Sequence, residues 1–255
     1  MSKVVATIEA RMGATRLPGK MALELLPGLP ALGAVIERVQ RAQRIDEVVV
    51  ATSTEQRDDA IIAIAERFGA RTFRGSETDV LGRVVGAGAS AGADVLVLVT
   101  GDCPCISPMV LDRGVAAFFA RRCDFLSNCL EDTFPQGIDV QVVRFPALQR
   151  AHAMAQEEPH RNNLDNFEHV NYFIRNHSDA FSIYRYTAPP QYHRPALTLL
   201  LDTPADLGMM RAIYERFHST DSSFDIDDVL ALADAHPEIF TSAQQPDINR
   251  VGYTV

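Results

Sequence analysis

The sequence contains no tryptophan, few cysteines and no excess of basic residues. Four cysteines in 255 residues are too few to build a disulfide-held scaffold of this length, so reduced thiols are expected. Only 24 lysines and arginines stand against 33 aspartates and glutamates, which gives a net charge of −9. A broad basic surface for nucleic acid is therefore not expected.

Long apolar runs are also missing. No stretch reaches the roughly 18 residues of a membrane-spanning helix, and no charged and apolar leader pattern opens the chain. The 47% hydrophobic and 22% charged content is instead typical of a globular enzyme. We expect a cytoplasmic protein with no membrane partner.

Short apolar runs alternate with amphipathic stretches through the first half of the chain. Strands are predicted at Val4–Glu9, Glu47–Thr52, Arg71–Phe73 and Asp94–Thr100. Helices are predicted over Leu32–Gln43, Glu55–Phe68 and Asp79–Ala91, and from Pro108, after a Ser107 cap, to about Arg122. This alternation predicts an α/β fold, with a mostly parallel twisted sheet flanked by helices.

The second half is less regular. Strands are predicted near Ile138–Val143, Phe181–Tyr186 and Leu197–Leu201. Helices are predicted near Phe145–Gln156, Asn166–Asn176, Pro204–Phe217 and Ile226–Ala235. Without a repeat or an obvious linker, the simplest organisation is one domain with an inserted or appended lobe.

A basic loop, "IEARMGATRLPGK", follows the first predicted strand. Arg11, Arg16 and Lys20 stand among two glycines at the carboxyl end of that strand, where open parallel sheets collect their ligands. Such a loop can hold an anion through backbone amides and charged donors. It is not a P-loop, because Met21 follows Lys20. The alternative is a solvated surface loop whose cations pair with nearby carboxylates.

Aspartates follow two other apolar strands. Asp102 follows the most apolar one, in "VTGDCP", and a carboxylate there is costly to desolvate unless it is paired or bound to metal. Asp202 stands in "LLLDTPADL", and its alternative role is a helix N-cap. Asp206, in the first turn of the predicted helix Pro204–Phe217, would interact favourably with the helix dipole. Asp102 and Asp202 beside a cationic loop form the arrangement that Mg²⁺ and a nucleoside triphosphate require.

These segments resemble a known family. "EARMGATRLPGK", "VVVATS", "FRGSETDVLGR", "TGDCPCISP", "PQGIDVQVV" and "LDTPADL" occur in the same order as in cytidylyltransferases that make CMP-activated sugar acids. The sequence is most similar to the spore-coat polysaccharide and acylneuraminate branch, over about Val4 to Phe217. One departure is Ala14, where these families usually carry serine, which removes a hydroxyl donor to the phosphates.

The resemblance implies a glycosyltransferase-A-like nucleotidyltransferase fold in a single domain, 1–255. Residues 1–125 would bind the nucleotide, 126–217 the acceptor with a possible dimer contact, and 218–255 would form a C-terminal helix and tail. It also implies CTP as substrate, Mg²⁺ as cofactor, a small acidic acceptor of the 3-deoxy-2-ulosonic acid type, release of pyrophosphate and a homodimer.

The resemblance assigns roles residue by residue. Catalysis would rest on Arg11, Lys20, Asp102 and Asp202, of which the two aspartates would hold the metal. Nucleotide contacts would come from Ala10, Arg11, Met12, Gly13, Arg16, Lys20, Arg74 and Asp102, with Asp79 and Arg83 as second choices that could instead cap or pair on their helix. Acceptor contacts would come from Asp139, Glu168, His169 and Arg161, with Arg194 as a weaker candidate.

Several alternatives remain open at this stage. Asp139 could close a turn, and His169 could be a half-buried histidine with satisfied hydrogen bonds. The acceptor could be a phosphonate or a phosphorylated small molecule instead of a sugar acid. A catalytically silent nucleotide-binding protein is the third hypothesis, but binding alone would not need both metal carboxylates. Cys103 and Cys105 are spaced too closely for a usual zinc site and are expected to pack beside Asp102.

Overall fold

A seven-stranded sheet forms the centre of the protein. The computed structural model describes residues 2–218 and 223–240. The strands are β1 (Val4–Glu9), β2 (Glu24–Leu26), β3 (Leu29–Pro30), β4 (Glu47–Ser53), β5 (Arg71–Gly75), β6 (Val95–Thr100), β7 (Phe125–Ser127), β8 (Gln141–Arg144) and β9 (Ile183–Arg185). The large sheet has the order β5-β4-β1-β6-β8-β7-β9, and β2 and β3 form a separate antiparallel pair. Within the described residues β8 runs against both its neighbours, and the other pairings of the large sheet are parallel.

Helices cover both faces of the sheet. They are α1 (Ala31–Gln40), α2 (Asp59–Arg67), α3 (Val80–Ser90), α4 (Pro108–Arg121), α5 (Phe145–Ala155), α6 (Asp165–Glu168), α7 (Tyr172–Asn176), α8 (Pro204–His218), α9 (Ile226–Ala235) and α10 (Pro237–Phe240). The buried side chains of α1, α4, α8 and α9 share one hydrophobic core, and those of α3, α5 and α7 share the other. None of the described helices is long and apolar enough to cross a membrane.

The central strands are apolar on both faces because each face meets a layer of helices. In β1, Val5 enters one core while Ala6 and Ile8 enter the other. This is why a strand of a covered parallel sheet reads as a continuous apolar run instead of an alternating one. The predicted α/β fold with a mostly parallel sheet and flanking helices is confirmed.

The register of the sheet determines where the site lies. Glu9, at the end of β1, is opposite Ala51 of β4 on one side and Thr100 of β6 on the other. The Gly101 N–H then donates to the Glu9 carbonyl over 2.9 Å. The loops that follow β1 and β6 therefore leave the sheet side by side at its carboxyl edge.

Most predicted elements of the first half are present within a few residues, and the predicted elements that differ lie in the second half. The predicted strand Leu197–Leu201 is wrong, because its backbone pairs with two separate loops and forms only an isolated bridge between Gln136 and Thr198. The predicted helix Asn166–Asn176 is interrupted and forms α6 and α7. The short strands β2, β3 and β7 were not predicted, and the predicted C-terminal tail beyond 240 lies outside the described residues.

Candidate active site

A cleft of about 470 Å³ opens at the carboxyl edge of the sheet. Its walls come from the loops after β1 and β6, the start of α3, and residues between 128 and 202. The predicted site residues that line it are Ala10, Arg11, Gly13, Arg16, Lys20, Arg83, Asp102, Asp139, Glu168, His169 and Asp202. The fold thus brings together residues from motifs far apart in sequence.

The basic loop folds back on itself so that Lys20 enters the cleft. Gly19 has a left-handed backbone with φ of 70°, a conformation that glycine adopts without penalty. Its N–H donates to the Met12 carbonyl over 3.3 Å, and the 3₁₀ turn Lys20–Ala22 begins at the next residue. As a result the Lys20 side chain is buried, with only 8% of the residue exposed.

A buried carboxylate fixes the other end of this loop. Asp58 is fully buried and accepts the Met12 N–H over 2.7 Å and the Ser53 hydroxyl over 2.5 Å. The loop is therefore tied to the end of β4. Met12 itself does not line the cleft, and its N–H, which we expected near the nucleotide, is used by Asp58.

Lys20 bridges the two aspartates expected to bind metal. Its Nζ lies 2.8 Å from Asp102 Oδ2 and 2.6 Å from Asp202 Oδ1. The two oxygens are therefore at most 5.4 Å apart, the sum of those distances. This contact joins residues 20, 102 and 202 in one ion-paired group at the floor of the cleft.

Charge pairing dominates the protonation of this group. Burial lowers the pKa of Lys20, but Asp102 and Asp202 outweigh burial, and the pKa is raised above its ordinary value. Burial raises the pKa of Asp102, but Lys20 outweighs burial and the pKa is lowered. Asp102 can thus stay ionised in a poorly solvated position.

The backbone holds the two aspartates in place. The Leu201 N–H donates to the Asp102 carbonyl over 2.9 Å, which links the loop after β6 to the segment carrying Asp202. Asp206, only 4% exposed, accepts the N–H groups of Asp202 at 3.0 Å and Thr203 at 2.7 Å. Asp206 therefore serves the N-terminal end of α8, whereas the Asp202 side chain faces the cations.

Arg11 and Arg16 are the more exposed cations of the loop. Arg16 Nη2 lies 2.9 Å from Asp202 Oδ2, on the carboxylate oxygen that Lys20 does not use. Arg11 lies 3.9 Å from Glu168 across the cleft. About half of each arginine side chain is exposed, 43% for Arg11 and 52% for Arg16, so both can turn towards an incoming anion.

Sequence reasoning missed Glu9, which lines the cleft beside the predicted Arg83. Burial raises the pKa of Glu9 to about 7; Arg83 lowers it and Asp102 raises it further. Arg83 is 3% exposed, and its Nη1 donates to the Ser76 carbonyl over 2.7 Å. The signal for Glu9 was available, since it is a carboxylate at the end of an apolar strand, as Asp102 is.

The far wall of the cleft carries the predicted acceptor residues. Asp139, Glu168 and His169 line it, together with Asp132, which sequence reasoning missed. Asp139 also accepts the Gly137 N–H over 3.3 Å, so the turn-closing alternative and a place in the cleft are compatible. This wall presents three carboxylates and one imidazole.

Besides Met12, four predicted residues lie outside the cleft lining and have other contacts. Arg74 pairs with Asp59 over 2.7 Å and donates to backbone carbonyls. Asp79 caps α3 through the Gly82 N–H at 2.7 Å and contacts His152, the alternative considered for it. The local ion pair of Arg161 is with Glu158, and that of Arg194 is with Asp234 over 3.6 Å.

The oxygen donors at the floor of the cleft suit a hard divalent cation. No cluster of three or more histidine, cysteine, aspartate or glutamate side chains with metal-site geometry occurs among residues 2–218 and 223–240. Two carboxylates are enough where phosphate and water supply the remaining ligands, as is usual for Mg²⁺. Cys103 and Cys105 are buried free thiols beside Asp102, as expected for packing residues.

Comparison with known proteins identifies the family. Residues 5–230 match the family model described as cytidylyltransferase. The chain belongs to the cytidylyltransferase family. This assigns it as a CTP-dependent nucleotidyltransferase, in agreement with the resemblance of the basic loop and aspartate motifs.

Individual relatives agree over most of the chain. The spore coat polysaccharide biosynthesis protein SpsF of Bacillus subtilis is 32% identical, over 85% of this chain and 88% of SpsF. A solved cytidylyltransferase of Leptospira borgpetersenii superposes with a TM-score of 0.86 at 29% identity, covering 97% of this chain and 99% of that one. A CMP-2-keto-3-deoxy-manno-octonic acid synthetase complexed with CTP shares the fold, with a TM-score of 0.61 at 19% identity, over 84% of this chain and 99% of that one.

Proposed function

We propose that this cytidylyltransferase transfers CMP from CTP to an acidic sugar of the 3-deoxy-2-ulosonic acid type, with Mg²⁺ as cofactor and release of pyrophosphate. The observation that carries the proposal is the group formed by Lys20, Asp102 and Asp202 beneath Arg11 and Arg16. It places two potential metal ligands and three cations in one cleft, which suits a metal-bound triphosphate.

The chemistry follows from what these side chains can do. An acceptor hydroxyl oxygen attacks the α-phosphorus of CTP and loses its proton to water, the bond from that phosphorus to the bridging oxygen breaks, and pyrophosphate leaves. Asp102 and Asp202 would hold the Mg²⁺, which when bound neutralises phosphate charge. Arg11 and Arg16 orient phosphate oxygens through charge-assisted hydrogen bonds. Positioning and charge stabilisation supply most of the catalysis in such transfers.

The far wall supports a polyhydroxylated acceptor. Asp132, Asp139 and Glu168 are acceptors of hydrogen bonds, and sugar hydroxyls are suitable donors to them. The acid group of the sugar would then face Arg11, Arg16 or His169, where the cleft carries its positive charge and its imidazole. The names of the relatives, in spore coat polysaccharide and CMP-sugar-acid synthesis, agree with this class of acceptor.

Pyrophosphate release by the purified protein tests the proposal. The protein is incubated with CTP and Mg²⁺ and a panel of 3-deoxy-2-ulosonic acids, phosphonates and phosphorylated alcohols, and the CMP product is identified by ³¹P NMR. Turnover is expected with a sugar acid. Turnover with a phosphonate but with no sugar acid would show that the acceptor is a phosphonate. Binding of CTP without turnover of any acceptor would favour the catalytically silent alternative.

A further inference from the structure

The Lys20 ammonium group occupies the space between the two carboxylates proposed as metal ligands. Its Nζ uses one oxygen of Asp102 and one of Asp202, at 2.8 and 2.6 Å. Only 10% of the Lys20 side chain is exposed, so this ammonium is held within the protein and is not a mobile surface charge. Asp102 and Asp202 both line the cleft proposed to receive the triphosphate.

A half-buried pair of neighbouring carboxylates is stabilised by a cation between them. Two like charges within 5.4 Å of each other repel strongly where water is scarce. Lys20 supplies the neutralising charge here. A divalent cation on the same pair would make that charge redundant and would repel the ammonium. Lys20 and a metal ion are therefore alternative partners of one anionic site.

We propose that Lys20 is a built-in counter-ion of the metal site, which leaves Asp102 and Asp202 when a divalent cation binds and then pairs with the triphosphate. The inference rests on the proposed metal role of the two aspartates. It adds that metal and CTP bind cooperatively. The metal replaces Lys20 at the two carboxylates, and the phosphates give the released ammonium a new partner. Metal alone then binds weakly, because displaced Lys20 has no anion to receive it.

The expected effect follows from competition for one site. If Lys20 occupies the carboxylates for nine-tenths of the time or more, the apparent affinity for a metal ion is weakened by about tenfold or more. Lys20→Met removes the competitor but keeps much of the apolar stem. It should bind Mn²⁺, used as the probe and measured by electron paramagnetic resonance without nucleotide, about tenfold or more tightly than the unmodified protein. The tightening of Mn²⁺ binding by added CTP should shrink in this variant.

Arg16→Gln is the matched control. Arg16 also contacts Asp202, at 2.9 Å, but from an exposed position and on the other oxygen. Its removal deletes the same charge without vacating the space between the aspartates. A much smaller gain in Mn²⁺ affinity than for Lys20→Met supports the proposal. Equal gains in both variants would show a general charge effect and overturn it, as would unchanged or weaker Mn²⁺ binding by Lys20→Met.

A measurement on the unmodified protein covers the case in which Lys20→Met does not fold. Labelling of lysines by an amine reagent, read by mass spectrometry, should be slow at Lys20 and should accelerate on addition of Mg²⁺ alone at saturating concentration. Lys3, whose side chain is 40% exposed at the opposite edge of the sheet, is the internal reference. No acceleration at Lys20 overturns the proposal.

The proposed function and this inference can fail separately. None of these measurements uses CTP turnover, so the absence of an acceptor reaction leaves them unaffected. Asp202→Asn distinguishes the other case. If Asp202→Asn binds Mn²⁺ as tightly as the unmodified protein, Asp202 is not a metal ligand. That result overturns the proposed metal role and, with it, the role of Lys20 as a counter-ion of the metal site.

Discussion

Glu9 gives the clearest link between the geometry of the cleft and a measurable free energy. Burial raises the pKa of its carboxyl from 4.5 to about 7, against the opposing effect of Arg83. Between these two pH values the folded protein therefore holds more of this proton than the unfolded chain does. The contribution of Glu9 to the free energy of unfolding must then fall as the pH rises from about 4.5 to about 7, and it stays lowered above that range.

The magnitude follows from the size of the shift. Each pKa unit corresponds to about 1.4 kcal/mol, so the raised pKa of Glu9 lowers the free energy of unfolding by about 3 kcal/mol near pH 8 and by about 1 kcal/mol near pH 5. Glu9→Gln replaces the carboxyl with a neutral group of the same shape. The variant should gain about 2 kcal/mol more in free energy of unfolding, relative to the unmodified protein, at the higher pH than at the lower.

Urea unfolding of the unmodified protein and of Glu9→Gln at the two pH values measures how the gain in free energy of unfolding changes with pH. The titration of groups other than Glu9 cancels in this comparison. Glu66→Gln, an exposed change of the same kind on α2, is the control for the substitution itself. An equal effect of Glu9→Gln at both pH values would refute the reasoning. So would a greater gain at low pH, because that would mean that Arg83 holds Glu9 ionised.

Three further predictions concern the machinery of the cleft. Asp102→Asn should remain folded but lose turnover by orders of magnitude, whereas Asp206→Asn should lose stability first; pyrophosphate release and thermal unfolding separate the two, and a worse kinetic defect in Asp206→Asn would reverse the assignment. CTP with Mg²⁺ should raise the melting temperature more than UTP, ATP or GTP, and equal shifts would exclude base selection. Asp58→Asn, which leaves the Met12 N–H or the Ser53 hydroxyl unsatisfied, should cost about 1–3 kcal/mol in urea unfolding and raise the KM for CTP; an unchanged KM would separate this anchor from nucleotide binding.

Sequence periodicity predicted the first half of the fold well because its strands are buried on both faces. A continuous apolar run such as Val95–Thr100 fits a strand that is buried on both faces, and each helix between such strands has one apolar face. The second half gives weaker local signals. Leu197–Leu201 is apolar enough for a strand, but its partners are the carbonyls of Gln136 and Asp102 in two loops, which no local pattern reveals.

For the candidate site, the sequence predicted the location of the residues at the sheet edge better than the contacts of individual side chains. That Asp102 and the basic loop lie at one edge follows from the rule for parallel strands, and the structure places them there. Motif matching also placed Arg74 and Asp79 near a nucleotide, but both lie outside the cleft lining, in contacts with Asp59 and Gly82. A motif records which residues occur together and not which atoms they touch.

The contact between Lys20 and the two aspartates is the part that sequence alone could not supply. Residues 20, 102 and 202 belong to three segments, and each segment by itself offered a complete explanation: a phosphate-binding cation, a metal ligand and a helix cap. The Lys20 Nζ lies within 3 Å of both carboxylates, so Lys20 holds an oxygen of each aspartate while the two aspartates raise the pKa of Lys20. Removing one member therefore changes what the other two can bind. The effects of substitutions at these three residues should therefore be non-additive, and a double substitution such as Lys20→Met with Asp202→Asn measures their coupling.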